Sequence, residues 1–165
     1  MRKSLNSRIR AIAQTSIQEH DDQRVRLEYK LIHEDAKIPF RKRTTDAGYD
    51  LHSIEDIEIQ PHATENIRCG IILVCPEGYF LVIEGRSSMY LNCVAPFHAI
   101  IDSTYTGEMM VRMMNIGDTA YHVKKHDRIA QVIIHKAYNA DFVEVEEFSE
   151  AYNKRGTAGF GSSGR

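Results

Sequence analysis

Asp102 is the first candidate for chemistry in this 165-residue chain. It follows two apolar residues, Ile100 and Ile101, a pattern that places its carboxylate at a strand end with restricted hydration. There it can orient a water molecule and take its proton as the water attacks phosphorus in line. The same segment, Asp102-Ser-Thr-Tyr105-Thr-Gly107, is also good turn chemistry, with aspartate opening the turn. Gly85-Arg86-Ser87-Ser88 gathers a guanidinium, two hydroxyls and backbone N–H groups in one turn. Such a set holds phosphate oxygens by charge-assisted bonds. It equally suits a strand-to-helix turn with Ser87 or Ser88 as the N-cap. There is no Walker lysine, so a P-loop is excluded. Gln131 stands inside an apolar run and should face a polar pocket, because an amide buried without partners is costly; the other reading is a solvated face. Asp50 adds a second carboxylate. It can meet the Mg²⁺ of a triphosphate through water, since that ion keeps several waters, or hold the turn at Gly48 by a salt bridge.

The last eleven residues, from Arg155 to Arg165, hold four glycines and only one ring, Phe160. Glycine loses much conformational freedom when ordered, and this segment has almost nothing apolar to bury. It reads either as a disordered terminus or as an arm that folds over a phosphorylated ligand, with N–H groups and guanidinium on phosphates and Phe160 over a flat ring.

The elements that position these residues are strands. Val25 to Ile32, Asp56 to Gln60 and Val143 to Phe148 alternate apolar with polar. Asn66 to Val74 and Tyr79 to Ile83 are β-branched and aromatic runs separated by the turn Pro76-Glu-Gly78. Met109 to Met114 and Arg128 to His135 are further apolar runs. Short strands between turn residues predict an all-β sandwich or jelly roll. One internal helix is expected, a turn or two after Arg86-Ser-Ser-Met89. Residues 1–23 stand apart as an extension: Arg2, Lys3, Arg8 and Arg10 with no acid before Glu19, and Leu5, Ile9, Ile12 and Ala13 at helical spacing. That is a short helical or loose segment, or an organelle transit peptide. The expected division is 1–23 extension, 24–150 β domain and 151–165 arm.

A net charge of −2 gives no global attraction to nucleic acid. Cys69, Cys75 and Cys93 are odd in number without a CxxC, which points to free thiols in a reducing, cytoplasmic setting. No run approaches the ~20 apolar residues that cross a bilayer. His122 and His126 are four apart, but on a strand and turn rather than a helix, and no HExxH is present, so structural zinc is not expected.

Asp46-Ala-Gly-Tyr-Asp-Leu51 and Gly85-Arg-Ser-Ser-Met89 resemble the first two motifs of the trimeric dUTPase family. Ile101-Asp-Ser-Thr-Tyr-Thr-Gly-Glu108 is similar to the third, Asp127-Arg-Ile-Ala-Gln131 to the fourth, and the tail to the fifth. All five occur in family order over roughly residues 24 to 165. The resemblance implies a distorted jelly-roll β-barrel that trimerises and hydrolyses dUTP to dUMP and pyrophosphate. It implies that Asp102 is general base and that Tyr105 excludes ribonucleotides. Arg86, Ser87 and Ser88 would meet the α- and β-phosphates, with Ser87 at the scissile bridge, and Gln131 would contact phosphate. Ala99, Ile100, Ile101 and Met110 join the substrate-binding set. Asp50 would hold Mg²⁺ through water. Arg155, Gly161, Ser162 and Ser163 would close on the γ-phosphate while Phe160 stacks on the base.

Three departures stand out. Three residues before Asp102 the family has glycine in a hairpin that selects the base, whereas this chain has Ala99 after Pro96-Phe97-His98. The stretch from Arg86 to Asp102 is short for the family, and His126 replaces a common glycine. The sister dCTP deaminases need a glutamate where this chain has Arg112, which cannot shuttle a proton at neutral pH. Beside dUTP hydrolysis two readings stay open: a pyrophosphatase for another or modified pyrimidine nucleotide, and a non-enzymatic regulatory protein on the same fold.

Overall fold

The computed structural model describes residues 24–148; the extension 1–23 and the arm 151–165 lie outside the described residues. The chain forms β1 (Glu28–Leu31), β2 (Tyr49–His52), β3 (Ile57–Ile59), β4 (Thr64–Arg68), β5 (Ile71–Val74) and β6 (Tyr79–Glu84). The short helix α1 (Ser87–Leu91) follows, then β7 (Val94–Pro96), β8 (Ala99–Ile101), β9 (Met110–Asn115), β10 (Tyr121–Val123) and β11 (Arg128–Lys136). The all-β expectation and the single helix after Arg86 are both met among these residues.

Every strand pairing is antiparallel. The strands form a four-stranded sheet in the order β2-β11-β6-β8, a three-stranded sheet β4-β9-β7, and two pairs, β1-β5 and β10-β3. In β9, Val111, Met113 and Asn115 are buried while Met110 and Arg112 are exposed, the period-two pattern of a sheet with one wet face. Leu81 and Ile83 of β6 meet Ile59, Ile67, Val111 and Ile129 in one core cluster. Asn115 is buried there because its amide is satisfied: Nδ2 donates to Ile59 O at 3.0 Å and Thr119 O at 2.7 Å, and Oδ1 accepts from Gly117 N at 3.0 Å.

The run from Asn66 to Val74 breaks into β4 and β5 at Cys69-Gly70. Gly70 adopts φ +66°, and a Cβ there would come within 2.9 Å of the His33 side chain, so glycine is required on both counts. Glu108 holds this turn, accepting from Gly70 N at 2.9 Å and pairing with Arg68 Nε at 3.1 Å. The turn at Pro76-Glu-Gly78 forms as expected, with Tyr79 N donating to Pro76 O at 3.2 Å. All three thiols are free, and burial pushes that of Cys69 up to about 12.

Val143 to Phe148 is not a strand. Phe142, Val143 and Phe148 are 98%, 76% and 71% exposed. Alternation alone cannot make a strand without a hydrogen-bonding neighbour, and among the described residues none of the sheets extends to this segment.

Candidate active site

The four-stranded sheet gathers one cluster of the expected residues. Asp50 of β2 lies opposite Gln131 of β11, and Gln131 opposite Glu84 of β6, so the three share one row on one face. Arg86, just past β6, reaches back across this row, its Nε 2.7 Å from Asp50 Oδ1. Arg128, at the start of β11, places Nη1 3.2 Å from Asp50 Oδ2. The two arginines are tied to each other as well, because Arg86 Nη1 donates to the Arg128 carbonyl at 3.0 Å. Gln131 Nε2 donates to Gly85 O at 2.8 Å, and its side chain fills the space where a Cβ on Gly48 would stand. Gly48 is therefore required for close approach, and Gln131 joins the turns of the first and second motifs. Arg128 belongs to the fourth motif, but its role was not legible: nothing in the sequence says that its guanidinium and that of Arg86 share one carboxylate.

Ser87 and Ser88 are exposed on the first turn of α1. Neither is the N-cap, the alternative reading of this turn; that position is Arg86, with no side-chain capping bond. The hydroxyls are thus not consumed by the helix.

Asp102 follows the last residue of β8, at a strand end as expected. It is exposed, against the expected restricted hydration. Ile100, 61% exposed, does not shield it, because β8 is the last strand of its sheet among the described residues. The carboxylate accepts no hydrogen bond among the described residues, and its charge, after burial, pushes the Cys75 thiol up. Tyr105 is no core tyrosine. Its hydroxyl donates to Glu108 O at 3.1 Å, and the ring lies over Gly107 so closely that a Cβ there would stand 2.3 Å from the hydroxyl oxygen. Glycine at 107 thus lets the hydroxyl end of the ring lie against the loop after Asp102.

The antiparallel register sets the two halves apart. Ile83 is opposite Ala99 and Leu81 opposite Ile101, so β8 starts beside the Arg86 turn and ends beside Phe80. Asp102 stands four residue steps beyond His98, across the three residues of β8, about 13 Å at 3.3 Å per step. Within one chain, then, Asp50, Arg86 and Gln131 come together, and Asp102 and Tyr105 stand at the far end of the β6–β8 ladder. Ala99, Ile100 and Ile101 line that edge, while Met110, 44% exposed, opens β9 opposite Arg68 in the other sheet. Arg155, Phe160, Gly161, Ser162 and Ser163 lie outside the described residues. The stretch before Asp102 is not a hairpin: β7 pairs with β9 and β8 with β6, so Phe97-His98 is a corner between two sheets.

For Mg²⁺ the donor set is sparse. No group of three or more His, Cys, Asp or Glu side chains is placed to hold a metal among the described residues, the His122–His126 pair included. Asp50 is already bound to two guanidiniums, which argues against a direct metal bond. Each carboxylate oxygen has a second lone pair, so a bridging water fits. His126 occupies the position of the missing glycine with φ +70°, a backbone region that glycine adopts without cost.

The dUTPase family pattern matches residues 34–164. The chain is 36% identical over 143 residues to the deoxyuridine 5'-triphosphate nucleotidohydrolase of Helicobacter pylori, covering 85% of this chain and 97% of that protein. It is 40% identical over 131 residues to the protein of that name from Fowlpox virus, covering 78% of this chain and 90% of the other. A mutant dUTPase of Staphylococcus bacteriophage 80alpha with dUpNHpp has the same jelly-roll-like fold, with a TM-score of 0.78 at 28% identity over 85% of this chain and 99% of that chain. The motif residues on the sheet ends, the fold around them and these relatives agree: the chain belongs to the dUTPase family and is an enzyme that hydrolyses dUTP.

Proposed function

We propose that hydrolysis takes place in a homotrimer whose sites combine residues of different subunits. The observation that carries this is the separation of Asp102 from the Arg86 turn by the length of the β6–β8 ladder. A second chain can supply the missing half. The exposed apolar residues Tyr138, Phe142, Val143 and Val145, which leave the body of their own chain uncovered, give such an assembly surface to bury.

In the proposed reaction Asp102 holds a water and takes its proton as the water oxygen bonds to the α-phosphorus. The bond from that phosphorus to the bridging oxygen breaks, and pyrophosphate leaves with dUMP as the other product. Arg86 and the Ser87 and Ser88 hydroxyls hold α- and β-phosphate oxygens, Ser87 at the bridge, and Gln131 contacts phosphate from β11. To bind phosphate, Arg86 shares its guanidinium between Asp50 and the substrate, and its five donors suffice for both. Mg²⁺, when brought by the triphosphate, neutralises phosphate charge, and Asp50 would hold it through water. Tyr105 packs against the deoxyribose and leaves no room for a 2′-hydroxyl. The edge backbone of Ala99, Ile100 and Ile101 is free of any strand partner on its outer side among the described residues, which suits it to read the edge of a flat base. Met110, exposed at the start of β9 in the other sheet, is the remaining member of the substrate-binding set. Residues 151–165 close the site, with Arg155, Gly161, Ser162 and Ser163 on the γ-phosphate and Phe160 on the base. The three free thiols suit a reducing compartment, the cytoplasm.

The test mixes two inactive variants, Asp102→Asn and Arg86→Ala, after unfolding and refolding together. Sites that combine subunits regain pyrophosphate release in the mixture, because some sites then receive neither substitution. A mixture as inactive as its components, at a trimer mass by light scattering, overturns the shared site.

A further inference from the structure

Two polar side chains outside every motif meet at the β8 edge. With Ile83 opposite Ala99, the next positions outward are Glu84 and His98. His98 Nδ1 lies 2.6 Å from Glu84 Oε1. Glu84 is also the register partner of Gln131, so this contact extends the row that begins at Asp50. β8 needs such support. It has three ladder positions and, among the described residues, no strand on its outer side. So short an edge strand is weakly held by its own hydrogen bonds. The corner before it is pinned from the opposite sheet: Phe97 N donates to Arg112 O at 2.7 Å, and the Arg112 guanidinium sits 5.7 Å from the Phe97 ring centroid. His98 supplies the tie on the β6 side. Its Nδ1 can donate to the carboxylate whether or not the ring carries a second proton.

We infer that Glu84 and His98 are a positioning pair that fixes β8 against β6 and thereby sets selectivity for the base. This rests on the proposed reading that the backbone of Ala99 to Ile101 meets the base. Neither side chain takes part in the reaction itself. The pair acts through geometry, because hydrogen bonds weaken steeply as their angle closes. A strand that tilts lets several bases share its donors and acceptors. A strand held at its entry by Phe97 on one side and His98 on the other presents them in one direction only.

The experiment measures pyrophosphate release by the full-length enzyme on dUTP, dCTP, dTTP and UTP, with melting temperature as the folding control. The variants are His98→Ala, Glu84→Ala, the double variant, and His98→Asn, which keeps a short donor. Each alanine variant is expected to raise KM for dUTP roughly fivefold, the scale of one lost hydrogen bond, with kcat within about twofold, and to lower the preference for dUTP over dCTP by a similar factor. The double variant is expected to be no worse than the worse single, since both remove the same contact. His98→Asn should recover most of the preference. Unchanged KM and preference in a folded His98→Ala enzyme overturn the inference, as do single effects that simply add. If the alanine variants do not fold, Glu84→Gln and His98→Asn are judged by the same preference ratio. Ala99→Val separates the two claims. If it shifts the ratio while His98→Ala does not, the positioning pair fails alone; if neither shifts it, the base-reading role of β8 fails with it.

Discussion

The Asp50 end of the site and the Asp102 end are built in opposite ways. Asp50 and Arg86 are 16% and 19% exposed, and both carboxylate oxygens are engaged. They are held by the ends of three neighbouring strands, β2, β11 and β6. Asp102 is exposed, hangs from a strand of three residues and accepts no bond among the described residues. On the proposed reading the difference follows two tasks. Holding a triphosphate needs several donors fixed in advance, and a sheet with internal ion pairs fixes them. Taking a proton from water needs a carboxylate whose lone pairs are free to accept from that water.

The comparison breaks first at Asp102. Asp102→Asn keeps the shape of the side chain and is expected to bind nucleotide as before while kcat falls by about 10²-fold or more. A near-normal rate in steady-state pyrophosphate release would reassign the base. The next largest effect is expected from removing residues 155–165, which should cost turnover on the order of tens-fold through loss of the γ-phosphate clamp and entry of water, while circular dichroism stays unchanged. Phe160→Ala should be milder, about tenfold, since stacking of one base is lost. A folded, fully active truncated enzyme would leave the tail without a role.

At the Asp50 end the expected effects are smaller, because the residues support one another. Arg128→Met removes one of two guanidiniums from Asp50. Its side chain is 48% exposed, so solvent screens the pair, and kcat/KM should fall about fivefold, about 1 kcal/mol, mostly through KM. A loss as large as that of Asp102→Asn would mean that Arg128 meets the reacting phosphate itself.

The smallest effect concerns pH. His52, next but one to Asp50 on β2, is 7% exposed and stacks on Phe40 at 6.3 Å. Burial holds its pKa below the usual 6.5, with Lys37 adding to the effect. The unfolded chain therefore binds the proton more readily than the folded one as pH falls through 6.5, and stability drops on the acid side. Melting temperature at fixed protein concentration should fall between pH 7.5 and 5.5, and His52→Asn should flatten that fall. An equal pH slope in the variant would place the acid sensitivity elsewhere.

Much of this was legible in the chain itself. The β class was readable because turn residues and alternating strands have local causes, and the motif residues and their order were readable through their resemblance to the dUTPase family. Gly48 shows the limit of that reading. The sequence placed it in a turn, but the reason it must be glycine, a Gln131 side chain 83 positions later filling its Cβ space, is tertiary. β8 has three residues, too short to carry a period, and Glu84 and His98 are ordinary polar residues until register sets them opposite. Val143 to Phe148 alternates like a strand and forms none, because a strand requires a partner and sequence cannot say whether one is present.

What the sequence by itself determined was the inventory: which carboxylates, guanidiniums and hydroxyls the chain brings to a phosphate, and in which turns. Tertiary structure alone decided their company. It gave Asp50 to two arginines and left Asp102 in solvent at the far end of a ladder. The physical reason is that antiparallel pairing joins residues distant in the chain in a register set by the whole sheet, while chain neighbours such as Ala99 and Asp102 are drawn out along a strand to its opposite ends.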